Sequence, residues 1–183
     1  MTRILAPLSF LILILLIASL QATTVEKLSL EDLVQKAQKI IVGRCLSTES
    51  RWNEKSTLIL TYSKFAVGEN LKSHSNGSVT VVTVGGSVGG ITQTVSGMPQ
   101  FVPNEEAVLF LEPSKDHHWQ IVGLSQGKFQ IVKDLRTGYK EVIHSLSGLQ
   151  LYDTSTHTLS SQAKPYRVPL DDLIVGIKNL IAK

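Results

Sequence analysis

The sequence predicts a mainly β protein with a short helix near its N-terminus and an amphipathic helix at its C-terminus. Between Ile40 and Ile143, short apolar runs alternate with period two and are separated by polar or glycine-rich connections. This pattern is typical of strands joined by turns. Residues 28–39 and 168–183 instead place their apolar side chains at helical spacing.

The first 22 residues predict export. Arg3 precedes an uncharged apolar run over 4–20, and the polar Gln21 and the small Ala22 close it. This order is typical of a secretory signal peptide that is cleaved after Ala22. An uncleaved signal anchor is the alternative, because the run is nearly as long as the roughly 18 to 20 residues that cross a bilayer. We therefore expect a periplasmic or extracellular protein with no membrane span after signal cleavage.

The charge distribution argues against a nucleic-acid partner, and the cysteine content rules out an internal disulfide. The 183 residues carry a formal net charge of +3, and the 18 basic residues are scattered along the chain. A scattered distribution predicts no nucleic-acid partner. Cys45 is the only cysteine, so no internal disulfide is available. Stability must then come from packing, which fits a bacterial envelope protein better than a small animal secreted module.

Each predicted helix begins with a local signal. Ser29 and Asp32 have the spacing of a capping box, in which each side chain bonds the backbone amide of the other residue. Pro169, followed by two aspartates, suits the first turn of the C-terminal helix. We expect the apolar stripe of that helix to pack on the barrel, and its docking on a partner is the alternative. The stripe consists of Leu170, Leu173, Ile174, Ile177, Leu180 and Ile181.

The elements divide the chain into four segments. About 160 residues follow the signal, which suits a single domain with its own core. The strands within it are predicted at 40–49, 58–67, 78–84, 107–111, 119–123, 128–132 and 139–143. The segments are a signal peptide over 1–22, a β-barrel domain over 23–143, an exposed Ser/Thr-rich connection over 144–167 and a C-terminal helix over 168–183.

The glycine-rich stretch from Gly85 to Gly90 has two interpretations. A phosphate-binding loop needs a helix directly behind the glycines, because the helix N-terminus holds the anion. Residues 91–95 alternate like a strand instead. The glycines therefore predict a sharp reversal between two strands, since glycine accepts positive φ without steric cost.

Several motifs in the predicted barrel together resemble a known group of proteins. They are Ala37-x-x-Ile-Ile-Val-Gly-Arg44, Trp52, Gly97-Met-Pro99, Glu105-Glu-Ala-Val-Leu-Phe-Leu111 and Gln126-Gly-Lys-Phe129. The pattern spans residues 30–132 and resembles a group of uncharacterised exported bacterial proteins. It is more distantly similar to the OB-fold barrel of netrin-like domains and tissue inhibitors of metalloproteinases. The resemblance implies a partly open antiparallel barrel of the OB or netrin-like type.

The chain differs from the netrin-like domains and tissue inhibitors of metalloproteinases in several positions. Ser73 stands where their lysine–glycine pair has its glycine, and the disulfide framework is missing. Their inhibitors chelate a protease zinc through an N-terminal cysteine, whereas the expected mature chain begins with Thr23. The inhibitory mechanism therefore does not transfer, and a shared fold alone does not determine function.

No catalytic residue, metal site or cofactor is predicted. His117 and His118 are adjacent, so on a strand they would point to opposite sides, and no third ligand lies nearby in sequence. Glu105 and Glu106 diverge for the same reason. Cys45 is expected to be a buried small hydrophobe rather than a nucleophile.

The sequence therefore predicts a non-enzymatic binding or interaction module. Its expected partner is an envelope or secreted protein or peptide. The loops at the barrel ends are expected to carry the contacts, because loops on a rigid scaffold commonly bind ligands. The alternatives are a hydrolase whose site assembles only in three dimensions and an inhibitor of exported proteases that acts through a loop. The candidate binding residues are Trp52, Gly86, Ser87, Gln126 and Lys128.

Overall fold

The structure, a computed structural model, describes residues 23–74, 77–161 and 165–183. The predicted signal peptide lies outside the described residues. Across the described residues the protein is mainly β, with two α-helices, α1 (Leu30–Lys36) and α2 (Leu170–Ile181). None of the helices in this part of the chain is long and apolar enough to cross a membrane.

The strands are short and variable in length, apart from two long ones that form a hairpin. These two, β2 (Lys39–Trp52) and β3 (Ile59–Lys72), extend further than the sequence predicts and meet at a turn over 53–58. Short 3₁₀ turns cover Lys115–His117 and Leu124–Gly127. The strands are β1 (Thr23–Glu26), β2 (Lys39–Trp52), β3 (Ile59–Lys72), β4 (Ser78–Val84), β5 (Gly86–Val88), β6 (Ile91–Gln93), β7 (Glu106–Pro113), β8 (Trp119–Ile121), β9 (Lys128–Lys133), β10 (Lys140–His144), β11 (Leu149–Asp153), β12 (Thr158–Ser160) and β13 (Tyr166–Pro169).

Five strands close into a ring in the order β2-β3-β4-β8-β7. One edge of β7 pairs with β2, and its other edge is shared: Glu106–Leu109 pairs with β9 and Leu111–Pro113 pairs with β8. The contact between β4 and β8 is parallel and joins Val81 to Trp119. The ring is therefore partly closed, while β9, β10 and β13 continue from β7 as an open sheet.

Strands β2 and β7 separate two hydrophobic cores. Alternate residues point to opposite faces of a strand, so Ile41 and Leu109 pack inside the ring while Ile40 and Phe110 pack on the other side. The outer side is covered by both helices. We call these two regions the ring core and the helix-side core.

Each helix contributes its apolar face to the helix-side core. In α1, the Ser29 hydroxyl accepts from the Asp32 amide at 3.1 Å, and the Asp32 carboxylate accepts from the Ser29 amide at 2.8 Å. The predicted capping box is therefore present. The Ser29 hydroxyl also donates to the Asp32 carboxylate at 2.6 Å, and this bond, with the one from the Ser29 amide, lowers the pKa of Asp32. In α2, Leu170, Leu173 and Ile177 are buried. The stripe packs on its own core, as expected, although Ile181 at its end is exposed.

Segment 144–167, predicted to be an exposed connection, is exposed at most of its described residues but contains strands. Strand β11 pairs in parallel with the N-terminal strand β1, and β13 pairs with β10. Leu149 and Leu151 are buried in a small third cluster. Pairing partners more than 100 residues apart in sequence give no local signal, which is why the pattern of this segment looked irregular. Residues 162–164 lie outside the described part.

Candidate functional site

A cleft opens at one end of the ring, beside the glycine-rich stretch. Its volume is about 320 Å³, at the small end of the range for ligand sites. One wall comes from the ends of β2, β3 and β4, and the other from the β5–β6 hairpin and the loop over 94–101. We call it the polar cleft; it is lined by Thr48, Ser50, Thr61, Thr83, Val84, Gly85, Gly86, Ser87, Thr92, Gln93, Thr94, Val95, Met98, Pro99, Gln100 and Phe101.

The interior of the ring changes from apolar to polar toward this cleft. Along β3 the inward positions are Phe65, Ser63, Thr61 and Ile59 in that order, because every second residue faces the same side, and the middle two are polar. Phe65 is fully buried in the ring core. Ser63 is also fully buried, and its hydroxyl has no hydrogen-bond partner among the described residues. Thr61 reaches the cleft.

A β-bulge makes the same change possible along β2. The pairing register with β3 shifts between Cys45 and Ser47. Without that shift, strict alternation from the buried Cys45 would place Glu49 and Arg51 inside the ring. The extra residue reverses the alternation, so Thr48 and Ser50 face inward and line the cleft, while the two charged side chains stay outside.

Two short hydrogen bonds fix the floor of the polar cleft. The Thr61 hydroxyl donates to the Gly85 carbonyl at 2.6 Å. Its only proton is then used, so in the 2.8 Å contact between Ser50 and Thr61 the Ser50 hydroxyl is the donor. The floor is therefore pre-oriented before any ligand arrives.

The glycine stretch forms the sharp reversal that the sequence predicts. Gly89 and Gly90 form the turn of the β5–β6 hairpin, with φ values of +58° and +82°. These angles match the two-residue turns that favour glycine. Gly86 has φ +130°, and a side-chain carbon there would collide with the hydroxyls of Ser50 and Thr61. A glycine is required at this position because the backbone itself lies against the floor.

Lys128 holds the opposite wall in place. Its ammonium group donates to the Gln100 carbonyl at 2.6 Å and lies 2.6 Å from the Glu105 carboxylate. It also sits 4.7 Å from the centre of the Phe101 ring. Both charged side chains are mostly buried, with 16% of Lys128 and 5% of Glu105 exposed. A lysine paired and desolvated in this way fixes the loop rather than contacting a ligand.

The predicted binding residues are only partly brought together. Gly86 and Ser87 line the polar cleft, and Lys128 supports its wall. Trp52 does not lie in a polar loop: it is the last residue of β2, pairs with Ile59 and is 36% exposed. It is not part of the cleft lining.

Gln126 lies away from any surface, contrary to its predicted place at the edge of one. It is 2% exposed, its side-chain oxygen accepts from the Leu28 amide at 2.8 Å, and its nitrogen donates to the Glu26 carbonyl at 2.9 Å. It therefore attaches the N-terminal segment to the barrel. Residues so distant in sequence offer no signal for this contact.

The hydroxyl residues of β2, β3 and β4 that line the cleft were not predicted as site residues. The sequence places Thr48, Thr61 and Thr83 in predicted strands and Ser50 just beyond the strand predicted at 40–49. Hydroxyls at alternate positions, as at Thr61 and Ser63, were a detectable signal on an otherwise buried face. The bulge in β2 had no such signal.

The titratable side chains considered for catalysis lie in separate surroundings. His144 is buried against Phe129, with ring centres 4.0 Å apart, and its Nε2 bonds the Gln126 carbonyl. Burial lowers the pKa of His144. Burial is also the largest cause of the raised pKa of the Cys45 thiol. His117 is exposed in a 3₁₀ turn. Within the described ranges, no group of three or more His, Cys, Asp or Glu residues could hold a metal.

Comparisons with family models, curated proteins and solved structures find no match to this chain.

Proposed function

We propose that this chain is an exported, non-enzymatic binding module whose ligand occupies the polar cleft. The order of the five ring strands and the parallel contact between β4 and β8 support a partly open barrel of the OB type. Barrels of this type bind ligands at their strand ends and loops. The export of the protein remains a prediction from residues 1–22, and the resemblance to exported bacterial proteins supports it.

One observation carries the proposal: the ring interior becomes polar where packing alone would favour apolar side chains. A buried hydroxyl without a partner costs about 1–3 kcal/mol. Ser63 is such a group, and the next inward position along β3, Thr61, lines the cleft together with its cross-strand partner Thr83. Hydroxyls at inward positions of a barrel are expected where they serve a ligand.

The lining of the cleft favours binding over catalysis. None of the described residues that line it has an acidic, basic or imidazole side chain. A serine or threonine nucleophile needs an adjacent base, and the lining offers none. The hydrolase alternative would gain support from a convergent pocket that contains Glu105, His117 or His144, and none of the three lines this cleft. The protease-inhibitor alternative stays a prediction.

The test is to locate binding on the exported protein by solution NMR. Short neutral peptides and soluble oligosaccharides serve as probes. We expect saturable shifts centred on the amides of Thr61, Thr83 and Gln93. The variant Gly86→Ala should abolish them, whereas Gly90→Ala should keep them, because a side-chain carbon at Gly90 meets nothing within 4 Å. Shifts centred elsewhere, or turnover abolished by a single substitution, would contradict the proposal.

A further inference from the structure

The polar cleft is suited to an uncharged ligand. Its described lining carries hydroxyl and amide side chains and no charged group. A desolvated ion would need an opposite charge or several charge-assisted hydrogen bonds, because burying an unpaired ion is costly. The paired charges of Lys128 and Glu105 lie behind the wall and satisfy each other. An ionic ligand would therefore find no partner there.

The free hydrogen-bonding groups of the cleft include both donors and acceptors. Ser50 uses its proton on Thr61, so its oxygen is left to accept. Gln93 accepts from the Ile59 amide at 2.8 Å through Oε1, which orients its Nε2 donors. The Thr48, Thr83 and Thr94 hydroxyls have no partner among the described residues, and each can donate and accept. A matching ligand must itself donate and accept at closely spaced positions.

One side of the cleft is apolar. Met98, Pro99 and Phe101 come from the loop over 94–101 that Lys128 fixes. Phe101 packs edge-on against Phe65 at 5.0 Å, which joins this wall to the ring core. An uncharged ligand with hydroxyls on its rim and carbon–hydrogen bonds on its face would fit such a combination.

We infer that the polar cleft binds a neutral carbohydrate, with one sugar unit of a longer oligosaccharide seated between the hydroxyl floor and the Met98 wall. This inference rests on the proposed function and names its ligand class. A sugar hydroxyl donates and accepts at once, as the free threonines do. An extended peptide is instead recognised mainly through its backbone at a strand edge, whereas the free polar groups named above are side chains.

The test uses maltotriose, cellotriose and the trimer of N-acetylglucosamine as neutral probes. Trigalacturonate is the charged counterpart, and a blocked alanine–threonine–alanine peptide is the non-sugar counterpart. Binding is measured by calorimetry and located by NMR on the exported protein. Thr83→Val removes one hydroxyl at constant shape, and Thr83→Ser keeps the hydroxyl as its matched control.

We expect at least one neutral trisaccharide to bind saturably and to shift the amides of Thr83 and Gln93. Thr83→Val should weaken it roughly fivefold to tenfold, the worth of one hydrogen bond, while thermal unfolding shows the variant to be as stable as the parent. Thr83→Ser should weaken it less.

Two results would overturn the inference, and they differ in what they say about the proposed function. If only the peptide or trigalacturonate shifts the cleft, the ligand class is wrong and the binding role stands. If no probe of any class shifts the cleft, both proposals fail. Equal trisaccharide affinity for Thr83→Val and the parent would also overturn the inference.

Discussion

The two cores on either side of β2 and β7 are filled in different ways. The helix-side core is apolar throughout its buried cluster, and His144 lies at its edge against Phe129. The buried cluster of the ring core is apolar as well, but the inward positions of β3 and β4 give way to Ser63, Thr61 and Thr83 toward the polar cleft. The sheet that separates the two cores therefore serves stability on one face and, by our proposal, recognition on the other.

The largest expected change in the free energy of unfolding comes from a substitution in the helix-side core. Phe110 is fully buried in the helix-side core and packs against Phe129. Phe110→Ala should lower the free energy of unfolding by about 4 kcal/mol, through lost burial and the cavity left behind. Urea unfolding measures the change. Leu135→Ala is the control, because Leu135 is 97% exposed, and its effect should stay within about 0.5 kcal/mol. Similar losses for both variants would refute the assignment of this core.

A smaller but still large effect tests the floor of the cleft. Gly86→Ala forces a side chain into a left-handed backbone conformation and into two hydroxyls. It should cost about 3 kcal/mol, the combined scale of backbone strain and overpacking. Gly90→Ala shares the positive φ without the collision, so it should cost about 1 kcal/mol. Thermal unfolding of the two variants separates strain from collision. Equal losses would show that Gly86 is not packed against the floor.

A substitution on the ring side is expected to increase stability, in contrast to the losses expected above. Ser63→Ala removes a fully buried hydroxyl that has no partner among the described residues. It should raise the free energy of unfolding by about 1 kcal/mol, because the desolvation penalty disappears. Ser47→Ala, on the exposed face of β2, should change little. A clear loss of stability in Ser63→Ala would mean that its hydroxyl is satisfied in the folded protein.

The smallest effect at neutral pH concerns His144. Burial lowers its folded pKa below the ordinary value near 6.5. The unfolded chain then binds more protons as the pH falls below about 6.5, so the free energy of unfolding should fall. Above that pH the contribution should be constant. Urea titrations at pH 7.5 and 5.0 should show a smaller pH dependence for His144→Gln than for the parent. A pH dependence unaltered in His144→Gln would contradict this role.

Local patterns predicted much of the fold but little of the site. The Ser29–Asp32 capping box and the reversal at Gly85–Gly90 depend on residues close in sequence. Local sequence patterns therefore predict both of them. The strands of segment 144–167 were not predicted because β11 is ordered by a strand at the other end of the chain. Gln126 was misplaced for the same reason, since its partners lie about 100 residues away.

By itself, the sequence determined the period-two strands, the two amphipathic helices and the turn chemistry, because each depends on the conformations of neighbouring residues. Only the tertiary structure decided that Thr48, Ser50, Thr61 and Thr83 share one cleft. That grouping requires the pairing of Ser50 with Thr61 and of Thr61 with Thr83, and a one-residue bulge after Cys45. Both depend on the register between paired strands, where a shift of one residue reverses which side chains face inward.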